Sequence, residues 1–172
     1  MTLQQTFVAV DSSEHHLKAF DCGQAEMNDY LARYAEKNQR LGLSATWGLP
    51  VVKTNQSLKA KIACYYSLAS ATVARSQIPT DKKLPGYPVP VVLLARLAVD
   101  KGFQKQGLGE KTLVCALRHS VILTNKGLPA HGLILDVIDE KALSFYQQFD
   151  IFKPFTDDPL RLFVGMNMLK KI

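Results

Sequence analysis

The sequence predicts a single α/β domain, residues 1–172, built on a sheet with helices on both faces. Three observations carry this. Short runs of β-branched and aromatic residues alternate with stretches whose apolar residues recur at helical spacing, the pattern of layered α/β folds. The most apolar stretch, residues 91–99, is a continuous run interrupted by one Arg, as expected of a central strand covered on both faces. A length of 172 residues is that of one ordinary domain, and neither a repeat nor a linker of biased composition divides it.

Residues 6–10 alternate enough for a first strand. Asp21-Cys22-Gly23 leads into a helix over 24–40, with Met27, Leu31, Tyr34 and Ala35 on one face and Gly42 as the stop. Residues 47–53 and 62–73 read as strands, joined through a turn at Asn55-Gln56-Ser57. Pro79, Pro85, Gly86, Pro88 and Pro90 forbid a regular helix over 76–90 and describe an exposed connection. After the 91–99 strand, closed by Asp100, residues 107–124 read as a helix. Leu113, Val114, Leu117 and Val121 line one side of it, and Gly127 and Pro129 end it. Residues 133–137 make a short buried strand, 139–149 a helix begun by an acidic cap, and 160–168 a last alternating strand.

The apolar fraction of 47% and charged fraction of 21% exclude a disordered chain. No apolar run approaches the roughly 18 residues that span a bilayer. The start, Met1-Thr2-Leu3-Gln4-Gln5-Thr6, shows no export signal, so a cytoplasmic location and no membrane partner are expected. Cys22, Cys64 and Cys115 are odd in number and far apart, so neither a disulfide framework nor a metal site is expected. A formal charge of +6 permits a polyanionic partner, although by itself it reads first as an ordinary solvated basic surface.

The unit that points to chemistry is the strand at 91–99, then Gln104-Lys105-Gln106-Gly107-Leu108-Gly109, then a helix. A helix start offers several backbone N–H groups and the positive end of a dipole to one anion. Glycines let a phosphate approach bare backbone. The same residues would also make an ordinary tight strand-to-helix turn. The turn lacks the Lys-Ser/Thr ending of a P-loop and the third glycine of a dinucleotide site, and it follows a middle strand, unlike the dinucleotide fold.

Gln104-x-x-Gly107-x-Gly109 resembles the Gln/Arg-x-x-Gly-x-Gly/Ala signature of the GNAT superfamily of N-acetyltransferases. Arg96-Leu97-Ala98-Val99-Asp100, Asp139-Glu140-Lys141-Ala142 and Phe145-Tyr146 follow the order and spacing of its TacT/AtaT-like toxin branch. Phe20-Asp21-Cys22-Gly23 and Leu160-Arg161-Leu162-Phe163 extend the resemblance over nearly the whole chain. It implies a mixed, mostly antiparallel twisted sheet and acetyl-CoA as co-substrate. It also implies an aminoacyl-tRNA acceptor whose α-amine is acetylated, a ribbon-helix-helix antitoxin and a homodimer. By the same resemblance, backbone groups of Leu97 and Val99 lie along the pantetheine arm. Gln106, Gly107, Leu108, Gly109 and Glu110 hold the pyrophosphate through backbone N–H groups, flanked by Gln104 and Lys105. Asp139 stands where relatives carry an Asn touching pantetheine, and Tyr146 matches the general acid. Relatives end the Tyr-bearing helix with Gly; here Asp150 occupies that region.

Acid–base chemistry agrees with this reading. A tyrosine with a reference pKa of about 10 stays protonated where a thiol leaves at about 8.5. An α-amine at about 7.7–8.0 needs little help from a base, whereas a lysine at about 10.4 needs more. The absence of an obvious paired carboxylate therefore favours an α-amine. Taken without the upstream turn, Tyr146 reads first as an amphipathic core aromatic. Arg33, Lys37 and Arg40 on the first helix, with Arg75, Lys82 and Lys83 beside the proline-rich loop, form either a phosphate-binding margin for RNA or a solvated face. His15-His16 read as a solvated pair, His119 and His131 as structural or exposed, and Trp47 as core or as a base-stacking ring. Two other functions stay open: acetylation of a small amine or protein N-terminus, and acyl-CoA binding without turnover.

Overall fold

The computed structural model describes residues 1–172. Its strands are β1 (Val8–Ala9), β2 (Ala45–Pro50), β3 (Ile62–Val73), β4 (Val89–Val99), β5 (Gly132–Asp136), β6 (Lys153–Pro154) and β7 (Arg161–Gly165). They form one sheet in the order β1-β2-β3-β4-β5-β7-β6. Pairs β1–β2, β2–β3, β5–β7 and β6–β7 are antiparallel, and β4–β5 is parallel. This is the mixed, mostly antiparallel α/β sheet that the resemblance implies. No helix is long and apolar enough to cross a membrane. The chain packs as two compact units, residues 1–69 with 95–116 and residues 70–94 with 117–172.

In the first unit the expected 24–40 helix is three segments: α1 (Ala25–Asp29), a π-helical turn (Tyr30–Tyr34) and α2 (Ala35–Arg40). The wide turn explains a correction. Met27, Leu31 and Ala35 are buried as expected, but Tyr34 is 49% exposed and Tyr30 takes the inward place, because one extra residue in the turn rotates the face that follows. Leu43 N–H donates to Asn38 O at 2.9 Å and Gly42 N–H to Gln39 O at 3.1 Å. With Gly42 at φ +73°, this is a Schellman stop. Tyr65 anchors the core beneath: its hydroxyl donates to Met27 O at 2.7 Å, and its ring meets Phe20 edge-on at 5.2 Å.

The strand expected at 47–53 lies at Ala45–Pro50, while Ile62–Val73 is as expected. The turn between them is closed by Asn55, whose Oδ1 accepts Ser57 N–H at 3.0 Å and Ser57 Oγ–H at 2.8 Å. Trp47 stacks on Tyr66 at 5.5 Å, which favours the packing reading of that ring. His15 is a second correction. It is buried and neither helical nor solvated, and its Nδ1 accepts Asp11 N–H at 3.0 Å; only His16 is exposed.

β4 is central in strand order, yet only Val89, Val91, Leu94 and Ala98 along it are buried. The expectation of cover on both faces therefore fails: Leu93, Arg96, Leu97 and Val99 stay half-exposed. Helix α3 (Leu108–Asn125) follows, with Leu113 and Leu117 buried, and Gly127 at φ +124° turns the chain beyond it.

In the second unit, Val73, Val91, Ile134, Phe155 and Phe163 form a core. A Cβ on Gly132 would sit 2.5 Å from the Phe163 ring and from Val164 O, so only glycine allows that approach of β5 to β7. Helix α4 (Glu140–Gln147) is shorter than the expected 139–149. The last strand stops at Gly165, where the short α5 (Met166–Leu169) begins, so the alternation read through 168 is half strand and half helix.

Candidate active site

The turn after β4 is built by side chains that direct their hydrogen bonds to backbone. Asp100 closes the strand: Oδ1 accepts Gly102 N–H at 2.8 Å and Oδ2 accepts Asp21 N–H at 2.9 Å. Gln104 Nε2 donates to Val99 O at 2.8 Å and to Cys22 O at 3.1 Å. Asp21 in turn accepts from Gly23 N–H at 2.9 Å and pairs with Lys101 at 3.5 Å, and the Gly23 bond, then that of the Asn28 amide, hold its carboxyl below the usual range. Thus the Phe20–Gly23 and Arg96–Asp100 motifs, far apart in sequence, are sewn together around Gln104. The Gln104 amide positions the turn; its donors are already used.

Within the turn, Lys105 has φ +62° and Gly107 φ +81°. Two left-handed residues, two apart, bend the chain sharply just ahead of the helix start, where backbone N–H groups can face an anion. At Leu108 the 18-residue α3 begins, and Lys111 N–H makes the bond back to Gly107 O at 3.1 Å. The N–H groups of Leu108, Gly109 and Glu110 therefore have no acceptor one turn back within the helix. Lys105, Gln106 and Gly107 are exposed, and a Cβ added at Gly107 would meet nothing within 4 Å. The space beside Gly107 is open. Leu108 is buried and anchors the helix start from below.

β4 itself offers an open edge. Its parallel pairing with β5 covers only Val92–Leu133 and Leu93–Ile134. Beyond these, the backbone of Leu97 and Val99 has no β5 partner, and residues two apart present the same edge. Val99 O is committed to Gln104, and Asp100 N–H, on the opposite edge, bonds to Ala63 O of β3 at 2.8 Å.

In the second unit, Asp139 is the N-cap of α4, its carboxylate accepting Ala142 N–H at 2.8 Å. Tyr146 lies near the end of α4 among aromatic rings, edge-on to Phe145 at 5.1 Å and to Phe152 at 5.8 Å. Burial pushes its phenol up to about 12, so the hydroxyl carries its proton throughout the physiological range. Asp150 has φ +53° and so holds a left-handed position just past the helix.

Arg33, Lys37 and Arg40 are all exposed, with the half-buried Glu36 among them. Arg75 Nη1 donates to Leu84 O at 2.8 Å and so ties down the proline-rich loop. Sequence reasoning gives the Arg96 side chain no role, although a single Arg inside an apolar run is its signal. Its guanidinium lies 4.9 Å over the Tyr30 ring, pairs with Glu26 at 3.3 Å and donates from Nη1 to Ala95 O at 2.9 Å. Its Nε–H is buried without a partner. No group of His, Cys, Asp and Glu is placed to hold a metal ion. Burial pushes the Cys64 thiol up to about 11, so it stays protonated near pH 7.

A strand with an unpaired stretch, a glycine turn with two left-handed residues and a long helix behind it are the arrangement expected of an acyl-CoA-dependent N-acyltransferase of the GNAT class. Comparison with known proteins narrows this. No family model matches the chain. A tRNA-acetylating toxin of Mycobacterium tuberculosis (strain ATCC 25618 / H37Rv) is 32% identical over 157 residues, 90% of this chain and 89% of the relative. A crystal structure of a mutant of KacT superposes with a TM-score of 0.87 at 24% identity, covering 99% of both chains. A crystal structure of AtaTR bound with AcCoA gives 0.81 at 25% identity, covering 96% of both chains. The chain belongs to the tRNA-acetylating toxins, on the GNAT fold.

Proposed function

We propose that this protein transfers the acetyl group of acetyl-CoA to the α-amine of the amino acid on charged tRNA, which blocks translation, and that an antitoxin of ribbon-helix-helix type restrains it in the cytoplasm. The observation that carries the reading is the turn, in which Lys105 and Gly107 have positive φ at the start of an 18-residue helix. The 32% identical relative named for tRNA acetylation and the likeness to an AcCoA-bound structure support it. When bound, acetyl-CoA supplies the activated acetyl group. The backbone N–H groups of residues 106–110 hold its pyrophosphate, Lys105 adds charge at the rim, and the open edge at Leu97 and Val99 orients the pantetheine arm. Gln104 holds the turn in shape, and Asp139 fixes the start of the helix that carries Tyr146. The acceptor α-amine attacks in its neutral form, which is well populated near pH 8; as its C–N bond forms and the C–S bond breaks, Tyr146 protonates the thiolate, the nitrogen gives up one proton to water, and water returns a proton to Tyr146.

Arg33, Lys37 and Arg40 supply phosphate contacts for the RNA, with Arg75 at the loop margin, and the protein works as a homodimer. The test is acetyl-CoA consumption with bulk charged tRNA against the same tRNA after deacylation. Turnover is expected with the charged form alone. Equal rates with both, or turnover only on a free amine or peptide N-terminus, would remove the aminoacyl group as acceptor.

A further inference from the structure

The second unit carries a basic feature that no step above uses. A cavity of about 330 Å³ is lined by Lys82 from the proline-rich loop, Lys153 of β6 and Lys170 just past α5, with His131, Phe163 and Ile151 among its other walls. Its lining contains no Asp or Glu, and none of the three lysines is in a salt bridge. These ammonium groups come from segments more than 15 residues apart, so their convergence is a property of the fold and of no local charge run. The walls are also preset. His131 N–H donates to Pro90 O at 2.9 Å, Met166 N–H donates to His131 O at 2.9 Å, and the imidazole stacks on Phe163 at 5.9 Å with a 22° tilt. Burial, and then Lys82, hold that imidazole below its ordinary pKa, so it is a neutral aromatic surface near pH 7.

Unpaired like charges around an aromatic floor are stabilised by a polyanion whose monomer also offers a flat ring. Strands of nucleic acid have both, and single-strand sites combine cationic rims with stacking side chains. An acidic peptide would meet the charge but leave unused the half-buried His131 ring, which buried Phe163 backs. We infer that the Lys82–Lys153–Lys170 cavity is a phosphate-and-base subsite for the RNA substrate, separate from the Arg33–Lys37–Arg40 helix. This rests on the reading that the acceptor is tRNA.

The test measures binding and catalysis separately. Bulk tRNA binding is followed by fluorescence anisotropy from about 50 to about 200 mM salt for the wild type, for Lys82→Glu/Lys153→Glu/Lys170→Glu, and for the matching triple Gln variant. Acetyl-CoA calorimetry certifies that each variant is folded. The triple Gln variant leaves three phosphates without their lysines, and each neutralised phosphate contributes about 0.7–0.9 to the log–log slope. The wild type should therefore lose roughly 20- to 40-fold more affinity across that salt range than the triple Gln variant. Parallel salt dependences in folded variants would overturn the subsite. So would loss of AMP or poly-glutamate binding in the variants with the tRNA slope unchanged, since the cavity would then serve a free nucleotide or an acidic peptide. Acetylation is scored in parallel. A wild type that binds tRNA with the steeper slope yet acetylates none refutes the proposed reaction and leaves the subsite standing.

Discussion

Gly107 and Gly42 make a matched pair that isolates the phosphate cradle. Both have positive φ, +81° and +73°, and at neither would an added Cβ meet any atom within 4 Å. Gly→Ala therefore costs each the same thing in the folded state, the left-handed strain of an L-residue, about 1–2 kcal/mol. For a chain of this length that lowers Tm by about 2–8 °C, against a total stability of about 5–15 kcal/mol, so both variants stay folded. They differ in what the open space is for. Gly42 ends a helix on the surface, whereas under the proposed function the Cβ at Gly107 would enter the volume of the coenzyme's phosphate. Losing one charge-assisted hydrogen bond there, about 1.5–3 kcal/mol, weakens acetyl-CoA roughly ten- to hundredfold. Calorimetry with acetyl-CoA and thermal melts on both variants decide it. Equal acetyl-CoA affinity in the two, at equal loss of Tm, would refute the cradle.

Three further outcomes are expected. Tyr146→Phe removes only the hydroxyl from a packed ring and should keep acetyl-CoA affinity within a few-fold while turnover falls by about 10²–10⁴; single-turnover kinetics would show whether the loss lies in the chemical step. Because burial pushes Tyr146 up to about 12, raising pH should not deprotonate the acid. Turnover on a stable amide analogue of 3′-aminoacyl-adenosine should climb as the α-amine loses its proton near pH 8 and then stay level to about pH 10, and a falling limb near pH 8–9 would point to another acid. Asp150→Gly relieves a left-handed aspartate and should raise stability by about 0.5–1 kcal/mol after the entropy cost of glycine, read as an upward shift in urea midpoint.

What is legible in the sequence divides along physical lines. β3 is readable to the residue because a β-branched and aromatic run is bounded by polar turns, and Asn55 announces the turn before it. The cradle is half legible: Gly107 marks a left-handed residue, but nothing marks Lys105, since any L-residue is strained in that conformation and none signals it. The π-helical turn at Tyr30–Tyr34 escapes because periodicity tolerates a one-residue insertion without a gap in the apolar pattern, and Tyr34 is misplaced as a result. β6 is two residues with a proline at the sheet edge, too short to carry a period. Gln104 stands out by its place in a motif, while its actual bonds to Val99 and Cys22 depend in part on a segment some 80 residues away. Of the lysine cavity only Lys82 is marked in the sequence, beside the proline-rich loop; its meeting with Lys153 and Lys170 is invisible for the same reason, being made by tertiary structure.

The identity of the product is the most direct measurement. Bulk charged tRNA is incubated with acetyl-CoA and the protein, digested with nuclease, and the 3′-terminal nucleosides are read by mass spectrometry, with the Tyr146→Phe protein run alongside. N-acetyl-aminoacyl-adenosine is expected in the wild-type digest, dependent on acetyl-CoA and strongly reduced in the variant. Terminal nucleosides that stay unacetylated under conditions where the protein turns over acetyl-CoA on another amine would contradict the proposed reaction.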